Sequence, residues 1–176
     1  MRFALIALPL VLCASVPEKM QLANIPRHDL GGIIIASDNR ISENYNISPI
    51  MYYGKDNKPY KYQKYQLNSS GEDVKVDLIV LEPGIYRINK ISFSNGAFPL
   101  VTQNNLSSYF KVQKNKILYI GRINLSMSLN GTTFKYNIVD KYTQDVAKFA
   151  EKRASGIEVQ KCLISMSDNI ECGDEV

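Results

Sequence analysis

Between Gly31 and Ile164 the chain is a succession of short runs rich in β-branched and aromatic residues, each closed by a turn signal. Runs of that length at that spacing belong to a sandwich of strands. The most regular is Val74 to Val80, where Val74, Val76, Leu78 and Val80 alternate with Lys75, Asp77 and Ile79, the period of a strand with one face on a core. Before it come Ile33-Ile34-Ile35-Ala36, opened by Gly31-Gly32, then Ile50 to Tyr53, and then the imperfectly alternating Tyr60 to Leu67. After it come Ile85 to Phe93, Tyr109 to Val112, Ile117 to Ile123, Phe134 to Ile138 and a last strand over Ile157 to Ile164.

The turns between these runs carry their own chemistry. Leu81-Glu82-Pro83-Gly84 places proline where φ is preset and glycine where a positive φ is tolerated, which predicts a hairpin joining its two neighbours. Lys114-Asn115 is a second turn, and Asn130-Gly131 suits the type I′ turn of a two-stranded hairpin. One segment departs from the pattern. From Asp140 to Arg153, with Tyr142, Val146, Phe149 and Ala150 on one face, the spacing predicts an amphipathic helix over about 140–153, capped by Asp140.

The N-terminus reads as an export signal. Met1-Arg2 supplies the positive charge and Phe3 to Leu12 an uncharged run, shorter than the roughly 20 apolar residues that span a bilayer. Residues 1–12 are thus expected to be a signal peptide and 13–30, with Pro17 and Pro26, a tether or N-terminal arm ahead of a domain over 31–176. Two endings of the signal stay open. Leu10-Val11-Leu12-Cys13 has the form of a bacterial lipobox, with Cys13 as the lipidated residue, although Leu12 stands where Gly, Ala or Ser is usual. Cys13-Ala14-Ser15 would also serve ordinary signal peptidase, and the chain would then be secreted. Export makes Cys162 and Cys172 readable as a disulfide, since they are the only other cysteines.

Formal charge is +4, falling to about +3 once Arg2 leaves with the signal. A weak positive balance favours acidic envelope surfaces. In the sequence alone the basic residues form no stripe with stacking aromatics, so nucleic acid is not expected as a partner. His28 is the only histidine and no G-x-S-x-G elbow occurs, so no catalytic, cofactor or metal site is expected. Asp73, Asp77 and Glu82 are read as solvated charge on the outer side of a sheet. Tyr60, Tyr62 and Tyr65, close to Tyr52 and Tyr53, would form a platform for sugar rings if they faced outward together; they are equally at home in a half-buried sheet. Asn46, Asn68, Asn105, Asn124 and Asn130 head formal glycosylation sequons, which an Asn- and Ser-rich composition also produces without use.

Leu81-Glu82-Pro83-Gly84-Ile85-Tyr86, followed by Phe110-Lys111-Val112 and Tyr119-Ile120-Gly121, resembles the L-x-P-G-x-Y, F-x-V and Y-[LI]-G elements of uncharacterised bacterial envelope lipoproteins. Asp140-Lys141-Tyr142-Thr143-Gln144-Asp145 resembles their D-x-x-x-x-D element. Those proteins carry transthyretin-like or carboxypeptidase-regulatory-like sandwich domains. The resemblance implies a mainly β, antiparallel β-sandwich of transthyretin-like or immunoglobulin-like type with one helix near the C-terminus, and transfers no active site. The expected function is a non-enzymatic outer-membrane lipoprotein that binds other envelope proteins. The alternatives are a glycan- or surface-binding module, or a freely secreted inhibitor or effector.

Overall fold

The structure, a computed structural model, describes residues 29–39, 48–58, 61–68, 73–94, 99–127, 134–152, 158–170 and 172. In chain order these form β1 (Gly31–Asn39), β2 (Ser48–Lys55), β3 (Gln63–Gln66), β4 (Lys75–Leu81), β5 (Gly84–Ser94), β6 (Pro99–Val112), β7 (Ile117–Met127), β8 (Phe134–Val139), α1 (Tyr142–Glu151) and β9 (Val159–Lys161). One sheet runs β3-β2-β5-β6 and is antiparallel throughout. The other runs β4-β1-β7-β8, with β9 beside β7 before β8 takes over that edge. The described residues are therefore mainly β, in two sheets with one short helix, as expected for a sandwich.

A single cluster of buried side chains draws on both sheets. Ile33, Ile35, Leu118, Ile120, Ile123 and Leu125 come from one sheet; Met51, Tyr53, Tyr86, Ile88, Ile91, Phe93 and Phe110 from the other. A second cluster lies on the far side of the five-stranded sheet, where Phe149 of α1 meets Ile34, Ala36, Val76, Tyr119 and Val159. The uninterrupted Ile33-Ile34-Ile35-Ala36 run follows from this layering. β1 is buried on both faces, so it has no polar face to alternate with.

The second layer reassigns β4. Its alternating Val74, Val76 and Leu78 face the helix, and the in-between Ile79 and Leu81 face the other sheet. Of the three carboxylates read as outer-face charge, Asp73 and Glu82 are exposed, whereas Asp77 lies on the inner side and accepts the Tyr65 hydroxyl at 2.6 Å.

Several local expectations change. β4 and β5 belong to different sheets, so Leu81 to Gly84 is a corner between sheets and makes no hairpin. Gly84 sits at φ 149°, and Tyr86 donates its hydroxyl to the Glu82 carbonyl at 2.9 Å across the corner. Lys114-Asn115 likewise carries the chain from β6 to β7, one sheet to the other. The five-stranded sheet is mixed, because β1 pairs with β7 and β7 with β9 in parallel. Those partners are distant in sequence, so no tight turn dictates an antiparallel pairing. β7 and β8 do pair as the Asn130-Gly131 signal predicts, although the turn itself lies outside the described residues.

The helix spans 142–151, and its N-terminal N–H at Tyr142 donates to Asp140 Oδ1 at 3.0 Å. Tyr142, Val146 and Phe149 pack inward as expected, whereas Ala150 is exposed and Asp145 takes a buried place. The C-terminal segment then ties the sheets together. Cys162 and Ile164 donate to the Tyr119 and Ile120 carbonyls of β7, and Ser165 exchanges both backbone bonds with Tyr109 of β6. Cys162 is bonded to Cys172, with Cα atoms 4.2 Å apart, so the disulfide closes a loop beyond this strap.

Candidate functional site

Each sheet has one irregularity that re-aims a cation. In an unbroken strand, residues three apart point to opposite faces, and an inserted residue restores them to the same face. In β7 the register with β1 shifts between Tyr119 and Arg122, at Gly121 with φ 110°, so both side chains reach the outer face of their sheet. In β5 the register with β2 skips Asn89, so Arg87 and Lys90 share the outer face of the four-stranded sheet while Ile88 and Ile91 stay in the core. The two outer faces are then treated differently.

On the five-stranded sheet the helix supplies a counter-charge. Asp145, fully buried, accepts the Tyr119 hydroxyl at 2.7 Å and the Arg122 Nε at 3.1 and 3.2 Å, with Arg122 Nη2 closer still. The Tyr119 hydroxyl also accepts the Lys141 backbone N–H at 3.2 Å. Desolvation and the Asp145 hydrogen bond push the Tyr119 phenol well above its usual range, and the same carboxylate raises the Arg122 guanidinium. A phenol and a guanidinium both held protonated by one carboxylate have no proton to exchange near neutral pH. This arrangement clamps α1 onto the sheet.

On the four-stranded sheet no described element covers the outer face. Lys64 of β3, Tyr52 of β2 and Lys90 of β5 stand in one cross-strand row, with the ammonium groups 5.6 and 4.4 Å from the Tyr52 ring centre. Arg87 and Tyr109 form the next row, guanidinium to ring centre 5.7 Å, and Ile85 and Lys111 the one after. Cations over ring faces are attracted to the aromatic quadrupole, which holds the long side chains flat and spread. None of Lys64, Arg87, Lys90 or Lys111 has a carboxylate partner among the described residues, and the Arg87 Nε is buried without an acceptor. Elsewhere Lys55, Lys75, Lys114, Arg122, Lys148 and Lys161 stand against Glu82, Asp77, Asp29, Asp145, Asp73 and Asp140.

No protein-family model, curated protein or solved structure matches the chain.

The tyrosines singled out in the sequence separate. Tyr62 is half exposed, beside Gly54, whereas Tyr65 packs on the inner cluster with Asp77 as its acceptor and Lys75 4.9 Å from its ring centre. Tyr53 is buried and donates to Gln63 at 3.0 Å. Tyr60 and Cys13 lie outside the described residues. Glu82 is an exposed partner of Lys55 at 2.7 Å, and that contact lowers its carboxyl below the ordinary range. Asp73 is exposed, 4.0 Å from Lys148, and does not meet Asp77. Among the described residues no group of His, Cys, Asp and Glu has the arrangement of a metal site.

The basic outer face is what sequence reading missed. Its members are scattered from Lys64 to Lys111, and Arg87 and Lys90 read as opposite-face residues unless the skip at Asn89 is known. Only the absence of any acidic residue from the sequences of β2, β3, β5 and β6 is visible beforehand.

Proposed function

We propose that this chain is a non-enzymatic binding module of the cell envelope, carried there as a lipoprotein through Cys13 and acting as an accessory to an envelope assembly. The observation that supports binding over chemistry is the contrast between the two outer faces. The buried Asp145 and helix α1 neutralise and cover one, and the other keeps four cations and two rings with nothing described over it. An ordinary structural sheet would mix signs on an open face to limit self-repulsion; a binding face leaves the charge for a partner.

The lipobox form of Leu10 to Cys13 supports the address, and pairing of Cys162 with Cys172 suits an oxidising compartment. Intact mass of the exported protein tests the reading. A diacylglycerol adduct on Cys13 together with a mass two hydrogens short of the reduced chain is expected. A mature terminus at Val16, or free thiols at both Cys162 and Cys172, would contradict it and move the protein to the secreted alternative or back inside the cell.

A further inference from the structure

We infer that the outer face of the β3-β2-β5-β6 sheet docks on an anionic phospholipid surface, through Lys64, Arg87, Lys90 and Lys111 with Tyr52 and Tyr109 between them. The four strands contain five basic residues and no acidic one, and among the described residues Lys55 alone of the five meets a carboxylate. The partner must therefore supply the negative charge. Its shape follows from the spacing of the cations, in three successive cross-strand rows, over roughly 14 Å across the sheet and about 17 Å along β5 from Ile85 to Lys90. That is an array of separate single charges on a broad face, matched by an array of phosphates in a plane. A compact ligand would need the cations converging on a pocket.

The rings favour the same partner. The ammonium groups of Lys64 and Lys90 stand over the Tyr52 ring, so what the face offers is charge, with less bare ring for a sugar to stack on. Ile85 is exposed on the same face, at its Lys111 end, and an amphipathic mixture of Tyr, Lys and Ile suits the headgroup boundary.

The N-terminal arm joins the domain at this end. The Leu30 carbonyl accepts the Asn115 N–H at 2.9 Å, Asp29 pairs with Lys114, and a side chain at Gly31 would strike the Gln113 carbonyl and the Val112 side chain, immediately after Lys111. A lipid on Cys13 would therefore hold the charged face near a bilayer, within the roughly 60 Å that seventeen extended residues span. The tether would supply effective concentration and the face would supply orientation. This last step rests on the lipoprotein reading; the docking face itself does not.

Co-sedimentation of the exported full chain with vesicles separates the two. Vesicles of neutral phosphatidylcholine report the lipid anchor, and vesicles in which about a third of the lipid is phosphatidylglycerol report the anchor plus the face. Partition is expected to rise at least tenfold on the anionic vesicles, to fall with added salt, and to drop about fivefold for each of Lys64→Gln, Arg87→Gln, Lys90→Gln and Lys111→Gln. Lys135→Gln and Lys152→Gln, on other exposed surfaces, should leave it unchanged. Loss of binding to neutral vesicles alone would remove the Cys13 anchor and leave the face standing. Equal partition on both vesicles, an unchanged increment in the double variant Lys64→Gln with Lys90→Gln, or binding of dextran sulfate without binding of anionic vesicles would overturn the inference.

Discussion

Asp145 is a buried carboxylate whose value depends on its partners. Removing it leaves Arg122 and the Tyr119 hydroxyl without their acceptor beneath α1, and a buried charge stripped of its partner costs about 3–5 kcal/mol. Asp145→Ala is expected to lower unfolding stability by that amount in a urea titration, while Asp73→Ala, at an exposed carboxylate 4.0 Å from Lys148, stays within about 0.5 kcal/mol. Equal small effects would mean that the helix clamp carries no weight.

The tyrosines give a second residue-scale expectation. Burial pushes the Tyr53 and Tyr86 phenols up to about 12, against about 10 in an unfolded chain. A raised pKa means that the unfolded state releases its proton first. The contribution of these rings is thus complete below about pH 10 and is lost as pH rises towards 12. An alkaline titration should show their tyrosinate absorbance appearing together with loss of near-UV dichroism. All eleven tyrosines ionising near pH 10 with the fold intact would contradict the buried placement.

At the scale of elements, the irregularities in β5 and β7 decide which side chains face outward. Gly121 holds φ 110°, and a Cβ there would stand 2.8 Å from Ile138 Cγ2 of β8. Gly121→Ala is therefore expected to cost about 1–3 kcal/mol through backbone strain and the clash, read by thermal unfolding. A neutral substitution would show that the β7 irregularity is not fixed by this glycine.

The same residues explain how much of the fold is legible in the sequence. Strand existence was legible from alternation and β-branching, as in Ile85 to Phe93, which β5 contains entirely. Sheet membership was not. Proline-glycine at 83 and 84 specifies a tight change of direction, and a corner between sheets uses the same residues as a hairpin. The first half of β6, with Thr102-Gln103-Asn104-Asn105, has no apolar period, so the sequence marks a strand only from Tyr109 although β6 begins at Pro99. Asp145 was placed in the helix without being seen as buried, since its partners Tyr119 and Arg122 depend on the Gly121 shift.

For the whole molecule, the C-terminal strap and the disulfide act together. The segment after β9 bonds first to β7 and then to Tyr109 of β6, and Ile170 returns to the inter-sheet cluster before Cys172 closes the loop onto Cys162. Replacing Cys172 by serine is expected to cost roughly 2–3 kcal/mol, the loop-closure value for a loop of this length, and reductant should then have no further effect. A variant as stable as the oxidised parent would show that the strap holds without its covalent tie.

In the molecule as a whole, one outer sheet face is neutralised and covered by α1, and the other is the charged face proposed to dock on anionic lipid. The most direct test is the acylation rate of each lysine with and without anionic vesicles, followed by mass spectrometry of the full chain. Lys64, Lys90 and Lys111 are expected to become at least several-fold less reactive on the vesicles, in a salt-dependent way, while Lys135, Lys141 and Lys152 keep their rates. Uniform protection of all six, or protection confined to Lys135, Lys141 and Lys152, would contradict the assignment of the β3-β2-β5-β6 face.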